Sequence, residues 1–124
     1  VFIGMGCYHY SWRQAFKCNL DARSELSLEK SKPCGVTETG PEGFDWTDYW
    51  TNHILESALN QRVSMIVMWR NKYVGSNESD RHFYSVYPGH PSEADFREMY
   101  DHPSTFFSKD LPDMYTMPEG YEVK

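Results

Sequence analysis

The sequence holds 124 residues, with 12 Lys and Arg against 18 Asp and Glu and a formal net charge of −6. That length allows one domain at most, and 24% charged with 40% hydrophobic residues is ordinary for a folded protein rather than a disordered or collagen-like one. No apolar run approaches the roughly 18 residues of a membrane span, and the acidic balance speaks against nucleic acid, whose binding surfaces are basic. Aromatic residues reach 16%, with four Trp, nine Tyr and seven Phe. An acidic chain rich in aromatics suits uncharged ligands with flat apolar faces, sugars first among them, although aromatics also build cores.

Residues 1–8 read as a short buried strand, with Gly4 and Gly6 where something must approach closely. The chain opens on this apolar run as though already inside a fold, so further residues are expected upstream. Residues 9–18 read as a connection rich in aromatics and His: His9, Tyr10, Trp12 and Phe16. A helix is expected over 19–32. Asn19 or Asp21 would cap it, Leu20, Ala22, Leu26 and Leu28 would carry its apolar contacts, and Pro33 would stop it. Residues 34–38 form a second strand, followed by a Gly- and Pro-bearing loop.

The clearest helix spans 46–61, where Trp46, Trp50, Ile54, Ala58 and Leu59 share a face; Asp45 with Asp48, or Thr47, would cap it. Residues 63–69 are a third buried strand. A long polar connection, 70–91, leads to a last helix over 93–100 capped by Ser92, then a turn-rich tail. The three cysteines, Cys7, Cys18 and Cys34, match no metal-binding pattern. Three buried thiols are expected, with one disulfide and a leftover thiol as the alternative. His9, His53, His82 and His102 share no metal-ligand spacing, and the 71–89 loop lacks a calcium-loop pattern. His90 reads as a loop brace.

Strands alternating with helices argue for a parallel sheet covered on both faces. Three strands cannot hide their edges, and a (β/α)8 barrel needs eight strands and about 250 residues. The chain is therefore either a small open α/β domain or the C-terminal part of a barrel. Active residues in α/β folds gather at the C-terminal ends of parallel strands. Those ends are Tyr8, Glu38 and Trp69. A carboxylate can attack an anomeric carbon, a phenol can hold it in place, and an indole offers a platform for the C–H face of a sugar ring. A retaining glycosidase needs two carboxylates about 5–5.5 Å apart, and only one stands at a strand end here. Glu42, Asp45 and Asp48 follow in the loop, where capping or solvated roles are the commoner use of an acid.

Val36-Thr37-Glu38-Thr39-Gly40, Met68-Trp69-Arg70-Asn71, the run Tyr-Pro-Gly-His-Pro-Ser at 87–92 with Asp95-Phe96, and Phe-Phe-Ser-Lys-Asp-Leu-Pro at 106–112 together resemble the C-terminal portion of glycoside hydrolase family 26 β-mannanases. The resemblance covers almost the whole chain. It implies a single partial domain over 1–124, about strands six to eight of a (β/α)8 TIM barrel, in a retaining endo-β-1,4-mannanase. By position it implies that Glu38 is the nucleophile, that Tyr8 hydrogen-bonds it, that Trp69 stacks under the sugar, and that Arg70 falls where some members contact the neighbouring subsite. The acid/base residue lies on a strand outside this sequence. One departure stands out: the family commonly has Asp two residues before the tyrosine, and here Gly6 holds that place.

The implied partners are β-mannan or a related plant polysaccharide and the N-terminal part of the barrel. The resemblance implies no metal and no organic cofactor, and a secreted, periplasmic or cell-surface location. The competing expectation is a non-catalytic carbohydrate-binding or degenerate glycosidase fragment, which keeps the aromatic platform without the chemistry.

Overall fold

A computed structural model describes residues 1–8, 13–73, 77, 81–113, 116 and 119–120. Three parallel strands, β1 (Ile3–Gly6), β2 (Cys34–Thr39) and β3 (Val63–Met68), lie side by side in chain order. β1 and β2 are joined by α1 (Arg13–Lys30). β2 and β3 are joined by a π-helical segment, Tyr49–Leu55, that runs into the short α2 (Glu56–Ala58). A small antiparallel pair, β4 (Lys72–Tyr73) with β5 (Arg81–His82), follows. Then come α3 (Glu93–Tyr100) and a 3-10 turn, Ser108–Asp110.

α1 begins six residues earlier than the expected 19. Arg13, Gln14, Ala15 and Lys17 are good helix formers, and the Phe16–Leu20 pair continues the buried face upstream. Asn19 therefore sits inside the helix rather than at its cap, and its side chain donates to the Ala15 carbonyl at 2.9 Å. The buried face runs Phe16, Leu20, Ser24, Ser27. Of the apolar residues expected there, Ala22 and Leu28 are exposed and Leu26 is half-buried. The two serines replace bulk with hydrogen bonds. The Arg62 backbone N–H donates to Ser24 Oγ at 3.0 Å, and Arg62 Nε donates to Ser27 Oγ at 3.3 Å. The helix ends at Lys30, and Ser31 turns out of it at φ 51°.

The second helical stretch starts at Tyr49 rather than 46, so Trp46 precedes it and stays partly exposed. None of Asp45, Thr47 or Asp48 caps it. The cap comes from α3 instead: Asp95 Oδ2 accepts the backbone N–H groups of Trp50 (2.6 Å) and Thr51 (3.2 Å), and its Oδ1 accepts the Thr51 hydroxyl. Orphan N–H groups at a helix start need an acceptor, and a carboxylate from a neighbouring helix meets that need. The expected polar connection over 70–91 contains the β4–β5 pair. Glu78 and Asp80 of that connection lie outside the described residues, as do His9, Tyr10 and Trp12.

The core joins Met5, Cys7 and Val36 of the sheet to Phe16, Leu20, Tyr49, Trp50, Ile54, Leu55 and Met99. All of it lies on one face of the sheet. On the other face Phe2, Met65 and Val67 are exposed, and Gly4 and Gly35 admit their neighbours closely. A Cβ on Gly4 would stand 2.7 Å from Thr37 Cγ2, and one on Gly35 would stand 2.9 Å from Phe2 Cζ. The expectation of helices on both faces is thus corrected: the described helices cover one. That is the arrangement of a barrel wall, helices outside and strand side chains inside. Cys7 and Cys34 are buried free thiols, while Cys18 is an exposed free thiol, so three buried thiols is corrected as well. Among the described residues no helix is long and apolar enough to cross a membrane.

Candidate active site

Backbone bonds draw the three strand ends together. Beyond the regular pairing, the Cys7 N–H donates to the Glu38 carbonyl (2.9 Å) and the Trp69 N–H to the Thr39 carbonyl (2.6 Å). The Thr39 hydroxyl donates back to the Cys7 carbonyl at 2.6 Å. Tyr8, Glu38 and Trp69 therefore leave the sheet at one end.

The register explains why Glu38 faces away from the helices. Met5 pairs with Val36, but the next pair is Gly6 with Glu38, so β2 carries one residue more than β1 there. The other neighbour agrees: Val36 pairs with Ile66 and Thr39 with Met68, three steps on β2 against two on β3. Side chains alternate along a strand. Without the extra residue, Glu38 would share the helix-side face of Cys34 and Val36. A bulge of one residue re-aims it to the open face.

There the Tyr8 hydroxyl donates a hydrogen bond to Glu38 Oε1. Tyr8 stays 38% exposed and Trp69 40% exposed, so both rings are accessible at this end of the sheet. Arg70 follows Trp69 and is exposed. Gly6, the partner of Glu38 across the strands, has open space where a side chain would project, because a Cβ there would meet nothing within 4 Å. The structure thus brings Tyr8 and Glu38 into contact and sets Trp69 and Arg70 at the same sheet end.

The loop acids have other partners. Glu42 pairs with His82 Nδ1, and that hydrogen bond is the main cause holding its carboxyl below the ordinary value; desolvation opposes it, and the His82 charge and the Tyr84 hydroxyl add smaller lowering contributions. Tyr84 is raised in turn, by desolvation first and then by the Glu42 charge and hydrogen bond. Asp48 accepts from the Asn52 amide at 2.9 Å. His90 is buried, as a brace should be. Its Nδ1 accepts the Ser92 N–H at 3.1 Å, so Nε2 carries the proton and donates to the Phe44 carbonyl at 2.9 Å. Trp50 Nε1 closes this network by donating to Ser92 Oγ at 2.9 Å. Among the described residues no cluster of three or more His, Cys, Asp or Glu is placed to hold a metal ion.

Sequence reasoning placed Asn71 and Asp95 in motifs but gave neither a role, because the partners of both lie far along the chain. It also missed the β2 bulge, for which a strand of six residues carries no local signal.

No protein-family model and no curated protein matches the sequence. Solved structures do match. One is a GH26 beta-mannanase from Bacteroides ovatus, with a TM-score of 0.80 and 25% identity over 98% of this chain and 35% of that one. Another is GH26C from a Muricauda species, with a TM-score of 0.78 and 25% identity over 94% of this chain and 33% of that one. The chain spans about a third of either protein. The parallel strands and the helices on one face agree with that likeness: the chain has the fold of the C-terminal part of a (β/α)8 barrel and resembles the glycoside hydrolase family 26 β-mannanases along nearly its whole length.

Proposed function

We propose that these 124 residues, as one partial domain, supply the nucleophile half of the active site of a retaining endo-β-1,4-mannanase. The observation that carries this reading is the hydrogen bond from Tyr8 to Glu38 at adjacent strand ends, on the face free of helices. Likeness to a structure described as a beta-mannanase supports the choice of mannan over other polysaccharides.

In this mechanism a Glu38 carboxylate oxygen attacks the anomeric carbon of a mannosyl unit. The glycosidic C–O bond breaks as an acid outside this chain protonates the departing oxygen. Water then attacks the same carbon, gives its proton to that residue, now acting as base, and frees Glu38. Tyr8 orients the carboxylate before attack. Trp69 stacks beneath the sugar, and Arg70 reaches the neighbouring unit. Glu42 is not taken as the second carboxylate, because His82 already pairs with it. No metal or cofactor takes part. The N-terminal part of the barrel is the partner that completes the site, and a polymeric substrate places the enzyme outside the cytoplasm: secreted, periplasmic or on the cell surface.

The test is reducing-sugar release from mannan by the full-length protein and by its Glu38→Ala variant. The expected loss is at least about 1,000-fold, because removing a nucleophile removes the covalent route. The open space at Gly6, where the family commonly has Asp, favours the second reading, a degenerate fragment that binds sugar without cleaving it. Retention of mannan by a protein that releases no sugar from mannan, xylan or glucan would establish that reading instead.

A further inference from the structure

Asn71 stands two residues beyond Trp69 and spends its whole side chain on the backbone of one distant segment. Its Oδ1 accepts the N–H groups of Tyr84 (2.8 Å) and Ser85 (2.9 Å), and its Nδ2 donates to the carbonyls of Ser85 (3.1 Å) and Val86 (3.3 Å). A side-chain amide has two donor hydrogens and two acceptor lone pairs, so its capacity is filled. Nothing is left over to bind a sugar hydroxyl.

The far side of the same segment presses on the turn behind Glu38. Gly40 has φ 137°, and a Cβ there would lie 2.9 Å from the Tyr84 carbonyl oxygen. The Gly43 N–H donates to the Phe83 carbonyl at 2.7 Å. His82 Nδ1 pairs with the Glu42 carboxylate. Segment 82–86 is therefore a brace between two strand-end turns, held by Asn71 on one side and by Gly40–Gly43 on the other.

We propose that Asn71 is a positioning residue: by fixing the backbone of Tyr84–Val86 it sets the turn behind Glu38 and so the placement of the carboxylate relative to Trp69. The inference rests on the reading of Glu38 as nucleophile. Its physical basis is the steep dependence of rate on geometry, where a displacement of about 1 Å costs on the order of 100-fold.

The experiment compares full-length enzyme with Asn71→Ala on a soluble β-1,4-mannan oligosaccharide, well below the melting temperature of either. Activity is expressed per active site, counted by trapping the glycosyl-enzyme with a fluorinated mannoside. Partial unfolding lowers that count, whereas misplacement lowers the rate at each counted site. The expected result is kcat per site reduced about 10- to 100-fold with KM within about threefold. A kcat per site within about twofold of wild type overturns the proposal and leaves Asn71 as a loop staple. If Asn71→Ala does not fold, Asn71→Ser, which keeps one hydroxyl donor and acceptor, is judged by the same two numbers. Glu38→Ala separates the two claims. If it still hydrolyses mannan, the nucleophile reading fails; if it is inactive while the Asn71 variant matches wild type, only the positioning inference fails.

Discussion

On the helix-covered face of the sheet, Met5, Cys7 and Val36 meet Phe16, Leu20, Trp50 and Ile54 in a closed core, whereas on the opposite face Phe2, Met65 and Val67 stand between 37% and 44% exposed. One sheet thus carries two surfaces with separate duties. The covered face holds the chain together through packing. The open face presents the Tyr8–Glu38 pair among accessible aromatic and aliphatic side chains. Stability and the proposed chemistry are divided between the two sides of the same strands, and the extra residue in β2 lets one strand serve both.

That division can be broken most directly by truncating one residue on each side. Trp50→Ala removes a fully buried ring and the donor to Ser92, and should cost about 3–5 kcal/mol in urea unfolding of the 124-residue chain. Met65→Ala on the open face should cost about 1 kcal/mol or less in the same measurement. Equal losses would mean that the open face is packed as tightly as the covered one.

A smaller effect sharpens the picture of how the covered face is held. Asp95→Ala strips the cap from the Trp50 and Thr51 N–H groups and should cost about 1–2 kcal/mol. Asp95→Asn should recover part of it, because an amide oxygen still accepts. Matching denaturation midpoints for the Ala variant and wild type would show that the helix start does not depend on α3.

The smallest expected effect is a pH dependence seated in the covered face. His53 is buried against Phe16 and Tyr49, with ring centroids 5.1 Å away in both cases. Its pKa is lowered, by burial first and by the Arg13 charge second. The unfolded chain therefore takes up this proton more readily than the folded one. The contribution is fully present above the ordinary His value near 6.5 and is lost as pH falls through the depressed folded value. Midpoints measured on either side of 6.5 should fall on the acid side, and His53→Phe should flatten that fall.

Much of this arrangement was legible in the chain. The apolar runs at 1–8, 34–38 and 63–69 marked three strands in the right places, and their last residues marked the end where Tyr8 and Glu38 meet. The helix starts were less legible. Asn19 has the residue type of a cap, yet good helix formers upstream and the buried Phe16 extended α1 past it. Ser24 and Ser27 broke the apolar period because hydrogen bonds to Arg62, rather than bulk, fill that seam. Trp46 fits the helical spacing of Trp50 and Ile54, but with the cap supplied by Asp95 the helix starts three residues later.

The sequence by itself determined the parallel strand–helix order, the stop of the second strand before Gly40 and the identity of the residues at the strand ends, because local periodicity, glycine and proline act over a few neighbours. Which face Glu38 meets, what caps the second helix and what braces the turn behind β2 were decided only in three dimensions. Each depends on a partner across a strand or many positions away: Gly6 against Glu38, Asp95 against Trp50, Asn71 against Tyr84. A hydrogen bond or a register shift of that kind leaves no periodic trace in the residues that make it, so it exists only once the packed chain has brought both sides together.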